Sequence, residues 1–304
     1  MERNICGGGI PGQGLTVIQE EEKMPLQAID IHTHVNTPEA RKLNPLRAAM
    51  EKYFKVSLEG VPLEETAGMY RDMEMKAVVF AIDSETATGV PYIGNDYVAD
   101  MVKEHPDVFI GFASVDPHKG RLAVEEVERS GRELSLRGVK FQQAIQDFYP
   151  NERKCYPIYE KCVELGLPVI FHMGHTGVGA GLPGGGGISL AKSRPIPYLD
   201  DVARDFPELT IIGAHPAWPW QDEMLAVAMH KANVYIDLSG WSPKYFPPSL
   251  VHYTNFALGD KVLFGSDYPV LTPERWMKDF EGAGFKEELR PKILRENAKR
   301  LLKL

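Results

Sequence analysis

A (β/α)8 barrel is the fold this sequence predicts, and three observations carry the prediction. Short apolar runs of strand length recur eight times along the 304 residues. Amphipathic stretches with apolar residues three and four apart separate them. Most of the runs are continuously apolar, as strands covered by helices in a parallel sheet must be. Eight such units fit the roughly 200–400 residues that a closed barrel occupies. An open doubly wound sheet is the rival, but it calls for a glycine-rich turn after the first strand, and "DIHTHVNTP" has none.

Taken in order, residues 1–24 are rich in Gly and then Glu and present no periodic apolar face, so a flexible lead-in is expected. The barrel then occupies 25–304 as a single domain. Its strands are expected in "LQAIDI" from Leu26, "KAVVFAI" (76–82), "VFIGFASV" (108–115), "LRGVKF" (136–141), "LPVIF" (167–171), "LTIIGA" (209–214), "NVYIDL" (233–238) and "KVLFG" (261–265). Helices are read in "IGNDYVADMVKEHP", "RLAVEEVERSGREL", "CYPIYEKCVELG", "YLDDVARDFP" and "WQDEMLAVAMHKA". The first connection, about 35–75, is long enough to add a helix or a capping loop. The tail "KEELRPKILRENAKRLLKL" reads as a basic amphipathic helix that closes the barrel.

Charge excludes some partners. With 42 acidic and 34 basic residues the chain carries a net charge of -8, and no basic stripe marks a nucleic-acid or anionic-membrane surface. No run of 18 apolar residues occurs, and the start lacks the basic and apolar segments of a signal peptide, so a cytoplasmic protein is expected. Cys6, Cys155 and Cys162 form no CxxC pair and read as idle thiols.

The chemistry sits at the strand ends. In "DIHTH", His32 and His34 are two apart, share one face of the first strand, and converge at the barrel's carboxyl mouth. The fifth strand runs into His172, the sixth into His215 and the eighth into Asp267. Four independent buried polar groups would each need a partner to offset desolvation, whereas one divalent metal satisfies several together. His32, His34, His172 and Asp267 are therefore the expected ligands. Zinc suits three imidazoles and a carboxylate, with manganese, iron or cobalt as alternatives. Such an ion lowers the pKa of bound water from about 15.7 towards about 7 or polarises a substrate oxygen. His215 is then the unligated acid or base, and Asp267 a second proton carrier.

The ordered set "DIHTH", "GLPVIFHMGHTG", "IIGAHPAWPWQDE", "VYIDLSGW", "LFGSDYP" and "ILRENAKRLL" resembles the amidohydrolase-related family typified by aminocarboxymuconate semialdehyde decarboxylase. The resemblance covers nearly all of the chain from residue 26. It implies one divalent metal on His32, His34, His172 and Asp267, with His215 acting on water or substrate. Two-metal relatives bridge their ions with a modified lysine after strand four; Lys140 stands near that place and is read here as substrate-facing or salt-bridged.

Other residues are candidates for shaping a small-molecule substrate. The Gly-rich stretch after His172 reads as a lid, with a plain linker as its alternative. His175 in it either meets substrate or bonds within the loop. Arg194 is a candidate carboxylate clamp or equally a surface residue, and Trp218 and Trp241 are candidate walls for a flat substrate or packing alone. Similarity to metal-dependent hydrolases tips the expected reaction towards hydrolysis of a carboxylic or acyl substrate, ketoacyl thioesters included. Decarboxylation of an aromatic or unsaturated acid is the alternative, and a non-catalytic metal-binding barrel the third. Apolar residues in the last helices allow a homodimer.

Overall fold

Each of the eight apolar runs becomes a strand in the computed structural model, which describes residues 1, 26–43, 47–55, 57 and 59–304. The expected lead-in (Met1 aside) and Cys6 lie outside them. The strands are β1 Ala28–His34, β2 Met75–Phe80, β3 Phe109–Gly111, β4 Val139–Phe141, β5 Val169–His172, β6 Ile211–Ala214, β7 Val234–Asp237 and β8 Val262–Leu263. All pair in parallel with their neighbours in chain order, β1 to β3 and β4 to β8. A bridge between Ala113 and Val139 joins the two sets. At the other seam Ile31 N donates to Phe264 O, Asp267 N to His32 O and His34 N to Tyr268 O, at 2.9–3.1 Å. The ring is thereby closed.

Two apolar layers follow from the strand period of two. Ile29, Ile31, Val78, Ile110, Ile170 and Ile212 fill the interior together with Ala298 and Leu302, so the terminal helix Asn297–Leu302 does close one end. Val79, Phe141, Val169, Phe171 and Ile211 join the larger cluster, with residues of the outer helices such as Val127 and Ile158. Cys155 and Cys162 are buried in that layer. No helix among the described residues is long and apolar enough to cross a membrane.

Two departures from regularity position the site. Between β1 and β2 the chain inserts α1 Pro38–Lys42 and α2 Arg47–Phe54 before the outer helix α3 Leu63–Asp72. Leu43 and residues of α1 and α2 line a cavity at the carboxyl mouth. The second departure is in β1 itself. Its pairing with β2 shifts between Asp30, opposite Ala77, and Thr33, opposite Val79: three steps on β1 against two on the partner, which is a β-bulge. Asp30 thus meets Tyr70 of α3, with the Tyr70 hydroxyl donating at 2.8 Å. His32, two residues on, packs edge-on against Phe80 of the inner layer instead.

Candidate metal and substrate site

The mouth collects side chains from six strand ends. His32 and His34 come from β1, Lys140 from β4, His172 from β5, His215 and Asp267 from the residues just past β6 and β8, and Asp237 from β7. The His32 and His34 rings lie 5.4 Å apart and both stand edge-on to Phe80, so they do share a face. His34 Nε2 is 3.1 Å and His32 Nε2 3.4 Å from Asp267 Oδ1. Ligand atoms of His32, His215 and Asp267 all fall within 4.8 Å of one another, a group able to hold a metal ion.

His215 and Asp267 both adopt φ of 70°, in the left-handed region that non-glycine residues avoid. Each such residue stores about 1–3 kcal/mol, and it persists where the surroundings fix it. Asp267 is tied by its N–H to His32 O, and Gly240 leaves room for both: a Cβ there would sit 2.7 Å from His215 Nδ1 and 3.2 Å from Asp267 Oδ2.

Proton counting shows what the rings ask for. His215 Nδ1 faces Ser239 O at 3.0 Å, His215 Nε2 faces His172 Nδ1 at 3.0 Å, and His172 Nε2 faces His175 O at 3.2 Å. Three contacts need three protons, because both ends are carbonyl acceptors. Burial, reinforced by the Lys140 charge, pushes both rings below their ordinary pKa, His215 to about 4, so as neutral rings they carry two. One of the three contacts is left without a proton, a shortfall met by the Ser239 hydroxyl 2.9 Å from His215 Nδ1 or by a cation at a ring nitrogen. His32 points the same way: its Nδ1 donates to Asp237 Oδ2 at 2.5 Å, while its buried Nε2 makes no hydrogen bond. The donor set of neutral imidazoles and a carboxylate fits a divalent metal, and carboxylate-anchored imidazoles are the usual support of such ligands.

Lys140 is fully buried, its Nζ has no hydrogen-bond partner, and it lies 5.3 Å from the Phe80 ring centroid. Burial pulls its ammonium down to about 8, against the raising effect of Asp237 and Asp267. Lys140, His34, His172, His175, His215, Trp241 and Asp267 line the cavity, whose volume is about 870 Å³. His175 Nε2 meets the Tyr53 hydroxyl of α2 at 3.1 Å.

Arg194 and Trp218 are not brought to the cavity wall. Arg194 grips Glu223 with Nε and Nη2 at 2.6–3.0 Å, so its fork is occupied by a carboxylate of the chain itself. Trp218 is 50% exposed, beside His175 and Trp241. Three positioning groups went unread in the sequence. Asp237 was hidden inside "VYIDL", although it ends a strand as Asp267 nearly does. Asp30 accepts from Ser266 N at 2.9 Å and Ser266 Oγ at 2.5 Å, fixing the residue before Asp267, and burial raises its pKa to about 6. Gln142, two beyond Lys140, is buried on the cavity wall with an unpartnered Oε1.

Comparison with known proteins fits this geometry. A 2-amino-3-carboxymuconate-6-semialdehyde decarboxylase of Dictyostelium discoideum is 31% identical over 78 residues, 26% of this chain and 22% of that protein. A gamma-resorcylate decarboxylase of a Polaromonas species is 28% identical over 110 residues, 34% of each. The matched stretches thus span about a fifth to a third of these curated relatives. Among solved structures, a TIM-barrel protein of Bordetella bronchiseptica superposes with a TM-score of 0.72 at 23% identity, over 91% of this chain and 98% of that one. The 5-carboxyvanillate decarboxylase of Novosphingobium aromaticivorans, complexed with manganese and 4-hydroxy-3-methoxy-5-nitrobenzoic acid, gives 0.67 at 19% identity, over 93% and 97%. The barrel architecture is shared with both. The amidohydrolase family profile matches residues 29–304, which takes in the barrel from the second residue of β1 onward and every residue at its mouth, and the chain belongs to the amidohydrolase family.

Proposed function

We propose that this protein is a metal-dependent decarboxylase of an aromatic or unsaturated carboxylic acid. The observation that carries the reading is Lys140: a buried ammonium without a partner, on the wall of the cavity that also holds the histidines and Asp267. An anionic substrate supplies the missing partner. Hydrolysis, the leading expectation from the sequence, gives way because the two curated relatives described above carry decarboxylase names.

His32, His34, His172 and Asp267 are the proposed ligands, as the sequence suggests, with His215, which the structure gathers with His32 and Asp267, as the alternative imidazole, and manganese, named with a structural relative, is to be tested beside zinc. The ion would act as a Lewis acid that polarises a substrate oxygen. Lys140 pairs with and orients the carboxylate. His215, 3.0 Å from His172 and within the tight His32–His215–Asp267 group, takes the acid's proton on its neutral ring and passes it on, with the Asp267 carboxylate offsetting the charge. As the carbon–carbon bond breaks, its electron pair stays on the substrate carbon, that carbon takes the proton, and CO2 departs. Asp237 and Ser239 keep His32 and His215 oriented. The test is CO2 release from a panel of hydroxybenzoates and unsaturated acids by protein loaded with Mn2+ or Zn2+. Release that is lost in His215→Ala supports the reading; hydrolysis of acyl substrates with no CO2 from any acid overturns it.

A further inference from the structure

The cavity is much larger than one small acid requires. An apolar cavity of about 150 Å³ accommodates benzene, whereas the volume here is about 870 Å³, towards the upper end of the roughly 300–1,000 Å³ that hold drug-sized ligands.

Its chemistry is divided. At the buried end lie Lys140, Gln142, His172, His215 and Asp267. The rest of the wall is contributed by α1 and α2, the 82–93 segment and the segments after β1, β4, β5 and β8, and is dominated by Val35, Phe54, Ile82, Val90, Ile145 and Val270. Polar groups that do occur there already bond to one another or to neighbours. Arg41 Nε donates to Asn36 Oδ1, the Tyr92 hydroxyl to Asn95 Oδ1 at 2.6 Å, and the Thr88 hydroxyl to Ser84 O at 2.8 Å; Tyr53 meets His175. Lys140 Nζ and Gln142 Oε1 are buried and unsatisfied, and both are at the deep end. A ligand that fills this space therefore places its anion and its hydrogen-bond donor at the deep end, where Lys140 and Gln142 are unsatisfied. Along the remainder an apolar arm gains most, because the side chains that dominate that wall are apolar.

We infer that the substrate is an amphiphilic acid: a carboxylate on an aromatic or unsaturated head, extended by an apolar arm at least as large as a second ring, which lies in the vestibule built by α1, α2 and the 82–93 segment. This substrate class rests on the decarboxylase reading for its head and on the cavity for its arm. Each methylene moved from water onto this wall tightens binding by up to about fourfold.

The experiment is calorimetric titration of the Mn2+-loaded protein with 2-hydroxybenzoate and its 4-methyl, 4-propyl and 4-pentyl derivatives, and with a 4-(carboxypropyl) derivative as a polar arm of similar length. Affinity is expected to rise two- to fourfold per methylene through pentyl, and the polar arm to bind no better than the parent. In Val90→Asp, and in the milder Val90→Ser, the gain per methylene flattens. Affinity that is level or falls with arm length overturns the inference. CO2 release is measured in parallel: tighter binding with no CO2 from any acid keeps the apolar-arm assignment and sinks the decarboxylase reading. CO2 from the parent acid with no gain from the arm does the reverse.

Discussion

Replacing Lys140 by Met separates stability from binding, because the two should move in opposite directions. Burial drops this ammonium from its ordinary 10.5 to about 8. At about 1.4 kcal/mol per pH unit, holding the charge in the unliganded cavity costs about 3 kcal/mol. The Phe80 ring face, 5.3 Å away, returns about 1 kcal/mol. A methionine of similar length forfeits both, so Lys140→Met should be about 2 kcal/mol more stable at pH 7. The sign with pH follows from linkage: a lysine held below its ordinary pKa carries its full penalty below pH 8 and sheds it as pH climbs to 10.5. The advantage of the variant should therefore shrink over that window. Substrate binding should weaken by about 2–5 kcal/mol, or thirtyfold and more, through loss of the carboxylate's partner. Urea unfolding at pH 7 and pH 10.5, beside titration with 2-hydroxybenzoate, reads both effects. A variant less stable than wild type at pH 7 would refute the claim that the ammonium is unpartnered; unchanged affinity would refute its role towards the carboxylate.

Three further outcomes are expected. His215→Ala should abolish turnover while metal content stays near that of wild type, and Asp267→Ala should lose both; metal loss from the first, measured by elemental analysis, would move His215 into the ligand set. Gly240→Ala and Gly181→Ala carry similar backbone strain, with φ of 76° and 77°, but only the first brings a Cβ against His215 and Asp267. Both should lose about 1–2 kcal/mol of stability and only Gly240→Ala its activity, so equal turnover in the two would count against the crowding argument. Burial pushes the Cys155 and Cys162 thiols up to about 12 from 9.0. Their contribution is intact below pH 9 and is lost as pH rises towards 12; the Cys155→Ala, Cys162→Ala double variant should lose about 2 kcal/mol less than wild type between pH 9 and 10, and parallel slopes would contradict this.

The barrel was legible because strand burial writes itself locally: "LPVIF" and "LTIIGA" are continuous apolar runs wherever they end up in space. Strand-end polar residues were legible by the same logic, since His172 and Asp267 break such runs abruptly. The bulge in β1 was not, because it depends on pairing with β2, and "AIDIHTH" reads as regular alternation. Asp237 was missed because Leu238 follows it and hid the break. The assignment of Arg194 to a substrate carboxylate failed to anticipate Glu223, 29 residues away, whose approach is decided by how two connections pack. The α1–α2 insertion was visible as excess length, but nothing in its residues said that Phe54 would reach the cavity wall. Volume is a tertiary quantity, and the sequence carried no sign of it.

The seam between β8 and β1 has a further consequence, for how the chain folds. Its backbone hydrogen bonds, Asp267 N to His32 O and His34 N to Tyr268 O, involve the proposed ligands themselves, which are separated by more than two hundred positions. Loop-closure entropy opposes so distant a pairing until the intervening strands are in place. A fragment lacking either end would lack proposed ligands, His32 and His34 at one end and Asp267 at the other, and a nascent chain stalled before β8 has every proposed ligand but Asp267. On the proposed ligand set, metal capture would report ring closure, and an ion bound across the seam would act as a clasp on the last join to form.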